Sequence, residues 1–168
     1  MHAIHATPQP RRPAPLPSSR WSPPTEPSLL SPESFRERVE AEITRHDRYL
    51  IGFGLLRIGP RVRRGGSEAL LEAIASEVRR TDSSCSLPDG SCALLALHAG
   101  QRELRAIVRR LVDASAEIER EQDNEPTDLI AALYAVRDRR VTAADMWLSL
   151  SHAFEQSRTS ADAVVLVP

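Results

Sequence analysis

Hydrophobic positions along this chain follow two alternating periods, and the alternation lays out its elements in order. Phe35, Val39 and Ile43 stand four residues apart, the spacing of one stripe on a helix. Before them, Ser31-Pro32-Glu33-Ser34 supplies a capping serine, a proline at the first helical position and an acid in the first turn. A helix is therefore predicted from Ser31 to about His46. Tyr49 to Ile58 (YLIGFGLLRI) is apolar on both alternating faces, as a strand covered on both sides must be. Gly52 and Gly54 leave one face nearly bare, so another element can approach closely there. Gly59-Pro60 is predicted to stop this strand. Ser67 caps a second helix with Leu70, Leu71, Ile74, Ala75 and Val78 on its inner face. It ends at Arg79-Arg80, cations suited to the negative end of the helix dipole.

A hairpin follows, with a strand over residues 82–87, a turn at Pro88-Asp89-Gly90 and a strand from Ser91 to Leu97. Proline sets φ at the first turn position, Asp tolerates the second, and Gly takes the left-handed one. A three-residue turn puts Cys85 and Cys92 on opposite faces of the ribbon, so both are expected as free thiols. His98-Ala99-Gly100 leads into a helix over Gln101–Glu121. Leu104, Ile107, Val108, Leu111, Val112 and Ile118 point inward, while Arg102, Arg105, Arg109 and Glu119 face water. EREQDNEPTD reads as a solvated connection, Leu129–Val136 as a strand buried on both sides, and Arg137-Asp138-Arg139-Arg140 as its polar turn. Thr142 caps a helix carrying Ala143, Met146, Trp147, Leu150 and Phe154, and Ala163–Val167 forms a last strand. The order α-β-α-β-β-α-β-α-β predicts an α/β (α+β) fold with a ferredoxin-like βαββαβ core. The added N-terminal helix and the C-terminal αβ unit cover the second face of the sheet.

Composition changes this picture mainly at the N-terminus. Nine of the 13 prolines lie between Pro8 and Pro32, a density that removes backbone donors and permits neither helix nor ladder. Residues 1–31 are therefore read as a Pro-rich disordered tail and 32–168 as one folded domain. Pro10-Arg11-Arg12-Pro13 matches a PxxP ligand, but PxxP arises by chance in any Pro-rich run, and the preferred reading is a solubilising tether. The net charge of −1 gives no global pull toward nucleic acid or an anionic membrane. All 22 basic residues are Arg, which excludes a P-loop lysine and a Schiff-base lysine. No apolar run nears the ~18 residues of a membrane span, and residues 1–12 lack the apolar core of a secretory signal. A cytoplasmic protein without membrane insertion is expected. Two cysteines make no disulfide framework. The five histidines (2, 5, 46, 98 and 152) show no ligand spacing, so neither a metal site nor a cofactor is expected. Ser91 has no partnered His and Asp in a recognisable motif. Trp147 beside Met146 reads as core, with a partner anchor as the alternative.

The hairpin carries a more specific pattern. Arg79-Arg-Thr-Asp82 is followed by SSCSL and then by Pro88-Asp89-Gly90-Ser91-Cys92. In register and element order, residues 33–168 resemble a degenerate GGDEF (diguanylate cyclase-like) domain, nucleotide-cyclase-like in fold. That family carries Arg-x-x-Asp, five residues, and then Gly-Gly-Asp/Glu-Glu-Phe at the turn. The family's acidic metal positions fall on Arg57 and Gly59 in the first strand and on Gly90 and Ser91 in the turn. The loop PRVRRGG is about six residues shorter by this alignment and lacks the family's base-binding Asn and Asp. Proline, which has no N–H, stands where a flexible Gly-Gly would cradle phosphate. Metal binding, base recognition and phosphate cradle are thus all absent, so the resemblance implies a protein without diguanylate cyclase activity. The implied role is a regulatory or protein-interaction module in bacterial signalling related to cyclic di-GMP, docking an unidentified protein or a second copy of itself. A second reading keeps the family's inhibitory site, with Arg79 and Asp82 binding cyclic di-GMP and Arg80, Arg61, Arg63 and Arg64 adding charge. Against it stands a plain structural role, Arg79 as a helix-end cation and Asp82 as a turn residue. The third reading is an active diguanylate cyclase.

Overall fold

The computed structural model describes residues 29–62, 67–136 and 141–167. Expectations for residues 1–28, including the Pro10–Pro13 motif, and for Arg63, Arg64 and residues 137–140 lie outside them. The elements are β1 (Leu29–Leu30), α1 (Pro32–Tyr49), β2 (Phe53–Pro60), α2 (Glu68–Glu77), β3 (Ser83–Ser86), β4 (Cys92–Leu97), α3 (Gln101–Glu121), β5 (Leu129–Ala135), α4 (Ala143–Thr159) and β6 (Val164–Leu166). They build a six-stranded sheet in the order β1-β3-β4-β2-β5-β6. β2 lies at its centre, antiparallel to β4 and β5, while β1 and β6 run parallel to their neighbours. The segment from β2 to β5 is the predicted ferredoxin-like core.

Alternation along the central strands divides the interior in two. Leu56, Ile58, Leu94, Leu133 and the inner stripes of α2 and α3 fill one face. Phe53, Leu55, Ile130, Phe154 and the apolar sides of α1 and α4 fill the other. The outer helices cover the second face as the doubly apolar strands require. Gly54 is where α3 comes closest, since a Cβ there would stand 2.6 Å from the Leu104 side chain. Gly52 meets only the Val136 carbonyl at 3.8 Å, so the close approach belongs to Gly54 alone.

Several boundaries differ from the sequence reading for local reasons. Leu29–Leu30, assigned to the tail, form a short strand beside β3, and Leu30 packs into the second core. α1 runs on to Tyr49 and ends where Leu50 turns left-handed (φ 55°) and its N–H reaches the His46 carbonyl. The apolar run Tyr49–Ile51 therefore lies outside the strand, and its Tyr49 and Leu50 are exposed. At the other end Gly59-Pro60 does not stop β2. Both residues pair with β5 (Gly59↔Ile130, Pro60↔Leu129), while pairing with β4 ends at Ile58. A proline without an N–H is tolerated because one side has no ladder left to serve. On α2 the inner face uses Ala69 and Ala73, and Ala75 is exposed. Glu119, expected in water, is buried and accepts from the Thr127 N–H at 2.6 Å and from its hydroxyl.

Cys85 and Cys92 are free and buried on opposite faces of the ribbon, as the turn length predicts. Burial pushes their thiols up to about 11 and about 12, with the neighbouring thiol adding to the rise at Cys92. Thiolate is the reactive form, so neither is expected to react with an aromatic disulfide reagent at pH 8 until the protein unfolds. Rapid modification of the native protein would contradict this burial.

Candidate functional site

Two places in the hairpin carry candidate residues, and the strands set them at opposite ends of the sheet. The turn is built as its sequence predicts. The Gly90 N–H donates to the Leu87 carbonyl at 3.0 Å, the Leu87 N–H donates to the Ser91 carbonyl at 2.8 Å, and Gly90 takes φ 81°. Asp89 does more than shape this turn. Its Oδ1 accepts from the Ser91 N–H at 3.2 Å and from the Ser91 hydroxyl at 2.6 Å. Its Oδ2 accepts from Arg57 Nη2 at 2.7 Å, and Arg57 Nε donates to the Ser91 hydroxyl oxygen at 3.0 Å. Arg57 projects from β2, so one residue of the central strand grips the whole turn.

A second guanidinium completes the cluster. Arg158, in the last turn of α4, brings Nη2 to 3.5 Å from Asp89 Oδ2 and Nε to 3.2 Å from Glu155. Its Nη1 donates to the Pro60 and Arg61 carbonyls at 3.0 and 2.7 Å. Both guanidinium groups lie over the Phe154 ring, at 4.4 Å for Arg57 and 5.1 Å for Arg158, within cation–π range. Burial alone would raise the Asp89 carboxyl, but the Ser91 hydrogen bonds and the Arg57 charge outweigh it and hold it below the usual carboxylate value. Arg61 ties off the same end by binding Asp128 at 2.6 Å and the Ser157 and Ser160 carbonyls at 2.7 and 2.8 Å. Arg57 and Arg61 are thus committed partners within the fold.

This geometry sets the chemistry available at the turn. Asp89 faces two guanidinium groups, so a divalent cation approaching it meets like charge. Gly59, the other expected acid position, is filled from across the strand, since a Cβ there would stand 2.8 Å from Ser91 Cα. Ser91 is buried and spent on Asp89 and Arg57. Gly90 serves the left-handed turn residue, Pro88 is exposed, and Cys92 points into the core. Past the end of β2, between the start of α2 and the connection from α3 to β5, an open hollow of about 670 Å³ is bordered by Ser67, Glu68, Glu119, Glu125 and Asp128. No group of three or more His, Cys, Asp or Glu side chains among the described residues is placed to hold a metal ion.

The Arg79–Asp82 end is organised differently. The Asp82 N–H donates to the Arg79 carbonyl at 3.0 Å. Asp82 Oδ1 accepts from the Leu97 N–H at 3.1 Å and from the Thr81 hydroxyl at 3.3 Å, pinning the start of β3 to the end of β4. Burial raises its carboxyl above the usual value, against smaller opposing effects of those bonds and of the Arg79 and Arg110 charges. Arg79 is exposed. Arg61 lies just past the far end of β2 from Phe53, the partner of Leu97, and binds Asp128, so it does not add its charge to this end.

Solved structures share this architecture. The GGEEF domain of a diguanylate cyclase from Vibrio cholerae superposes with a TM-score of 0.73 at 12% identity, over 84% of this chain and 99% of that one. The chain has the GGDEF-domain fold. The diguanylate cyclase SiaD of Pseudomonas aeruginosa, solved with its activator SiaC, gives 0.70 at 16% identity over 82% of this chain and 58% of that one. The coiled coil and GGDEF domain of DgcB from Caulobacter crescentus, solved with c-di-GMP, gives 0.68 at 9% identity over 83% and 82%. No family model and no curated protein matches the sequence. At these identities the likeness is one of fold. Within this GGDEF fold, sequence reasoning missed Arg158, Phe154 and Asp128. No local signal marks them, because Arg158 lies 101 residues beyond the Arg57 it accompanies. No helix among the described residues is long and apolar enough to cross a membrane.

Proposed function

We propose that this GGDEF-fold protein is a non-catalytic regulatory module that acts by protein interaction in signalling related to cyclic di-GMP. The observation that carries this reading is the Arg57–Asp89 ion pair at 2.7 Å. It sets a fixed guanidinium where a nucleotide-condensing site would need carboxylates turned toward a metal. The pure protein is expected to make no cyclic di-GMP from GTP with Mg²⁺ or Mn²⁺. Product above a no-enzyme blank, detected by mass spectrometry, would return it to the active cyclases.

A second reading, a cyclic di-GMP receptor through Arg79 and Asp82, is favoured by one feature. Arg79 is exposed and therefore open to a ligand. Asp82 weighs against it, because its Oδ1 already serves Leu97 and Thr81. Calorimetric titration with tens of micromolar cyclic di-GMP separates the two readings. Heat that disappears in Arg79→Ala supports the receptor, and silence in the parent protein supports the interaction module.

A further inference from the structure

The outer face of the second core is not closed. Between α1 and α4 runs a groove of about 610 Å³, lined by Phe35, Val39, Cys85, Pro88, Trp147 and Leu148. The Phe35 and Trp147 rings meet tilted at 56° with centroids 6.2 Å apart, and Leu148 is 72% exposed. The exposed leucine and the aromatic pair together give the groove an apolar wall.

The chain itself reaches the fold at this groove. β1 pairs Leu30 with Cys85, a residue of the groove wall, and Pro32, also on the groove, opens α1. The 28 residues before β1 contain eight prolines, and Trp21-Ser22-Pro23-Pro24 places an aromatic ring beside two of them. β1 is the sheet edge on the α1 side, with α4 beyond α1. A path from β1 to the groove therefore crosses the outside of α1. Passing over the outside of a helix about 10–12 Å across takes roughly 16–19 Å of path, and residues 22–28, extended at about 3.1 Å each, would span roughly 22 Å. That reach is enough to bring Trp21 to the groove. Aromatic-lined grooves hold proline-rich segments by ring-on-ring contact, and a tether this short presents its segment at roughly millimolar effective concentration.

We propose that the α1/α4 groove is the docking site of this chain's own Trp21–Pro24 stretch. Docked there, the stretch covers Leu148 and Trp147, and a protein partner that wants this face must first displace it. The assignment rests on the groove and the path of the chain, independently of whether the turn is catalytic.

The test uses the full chain carrying Ser19→Cys with a nitroxide on the new thiol; Cys85 and Cys92 are buried and stay unlabelled. The Trp147 indole and Leu148 amide resonances are expected to lose at least half their intensity relative to the reduced label. Leu148→Arg, at an exposed position, and Trp21→Ala are each expected to restore it. Unchanged intensities in the labelled parent would overturn the proposal. So would broadening seen only when spin-labelled chains are mixed with isotope-labelled ones, because the occupant would then be a second copy.

Discussion

Arg57→Ala is expected to lower the unfolding free energy by about 2–3 kcal/mol, which in a domain of this size moves the melting midpoint down by roughly 6–10 °C. The Arg57 side chain is 11% exposed and the Asp89 side chain 23%. Removing the guanidinium leaves a largely buried carboxylate without its nearest cation and takes a cation from the face of Phe154. Some exposure of Asp89 keeps the effect below the 3–5 kcal/mol of a fully buried pair. pH dependence identifies the cause. The folded carboxyl of Asp89 lies below its ordinary value of 3.8, so its stabilising contribution is fully present above that value. It is lost as pH falls through the lower folded value. Parent and Arg57→Ala should therefore differ at pH 7 and converge in strong acid. The double variant Arg57→Met, Asp89→Asn removes both charges while keeping the volume, and is expected to regain most of the loss. Equal midpoints for parent and Arg57→Ala in thermal melts at pH 7 would show the pair to be ornamental.

Gly59→Asp is expected to be the more damaging change, costing at least about 3 kcal/mol. It puts an acid at the position where the family resemblance expects one, yet there is no space for it. A Cβ at this position would lie 2.7 Å from Ser91 Cβ and 2.8 Å from Ser91 Cα, and backbone cannot move aside as a flexible side chain can. The new carboxylate would also be buried close to Asp89. Chemical denaturation with circular dichroism should show a lower midpoint and, in the soluble fraction, no cyclic di-GMP. Gly59→Ala separates packing from charge, since it keeps the clash and lacks the carboxylate. Wild-type stability in both variants would mean that β2 and the turn adjust freely, and the filled-site argument would fall. Together the two substitutions ask whether the end of the sheet is a repacked structural joint or an active site missing only its acids.

Much of the fold was legible because it depends on local periods. The stripe on α3, the doubly apolar β2 and β5, and the caps Ser31, Ser67 and Thr142 all follow from spacing or from a residue's own chemistry. Element ends were less legible. Tyr49–Ile51 is apolar enough for a strand, but the left-handed Leu50 breaks the chain direction there, and no residue type announces that. Leu29–Leu30 is too short for any period to register, and its strand exists only because β3 offers an edge.

By itself the sequence determined the order of elements, the turn at Pro88-Asp89-Gly90, the opposite faces of Cys85 and Cys92, and the non-acidic residues at positions 57, 59, 90 and 91. Each is a matter of residue identity or of spacing within one element. Only the tertiary structure decided what gathers around the hairpin turn. Arg57, Asp89, Phe154 and Arg158 come from a strand, a turn and the end of a helix, and a charge pair depends on distances in space that no spacing along the chain encodes.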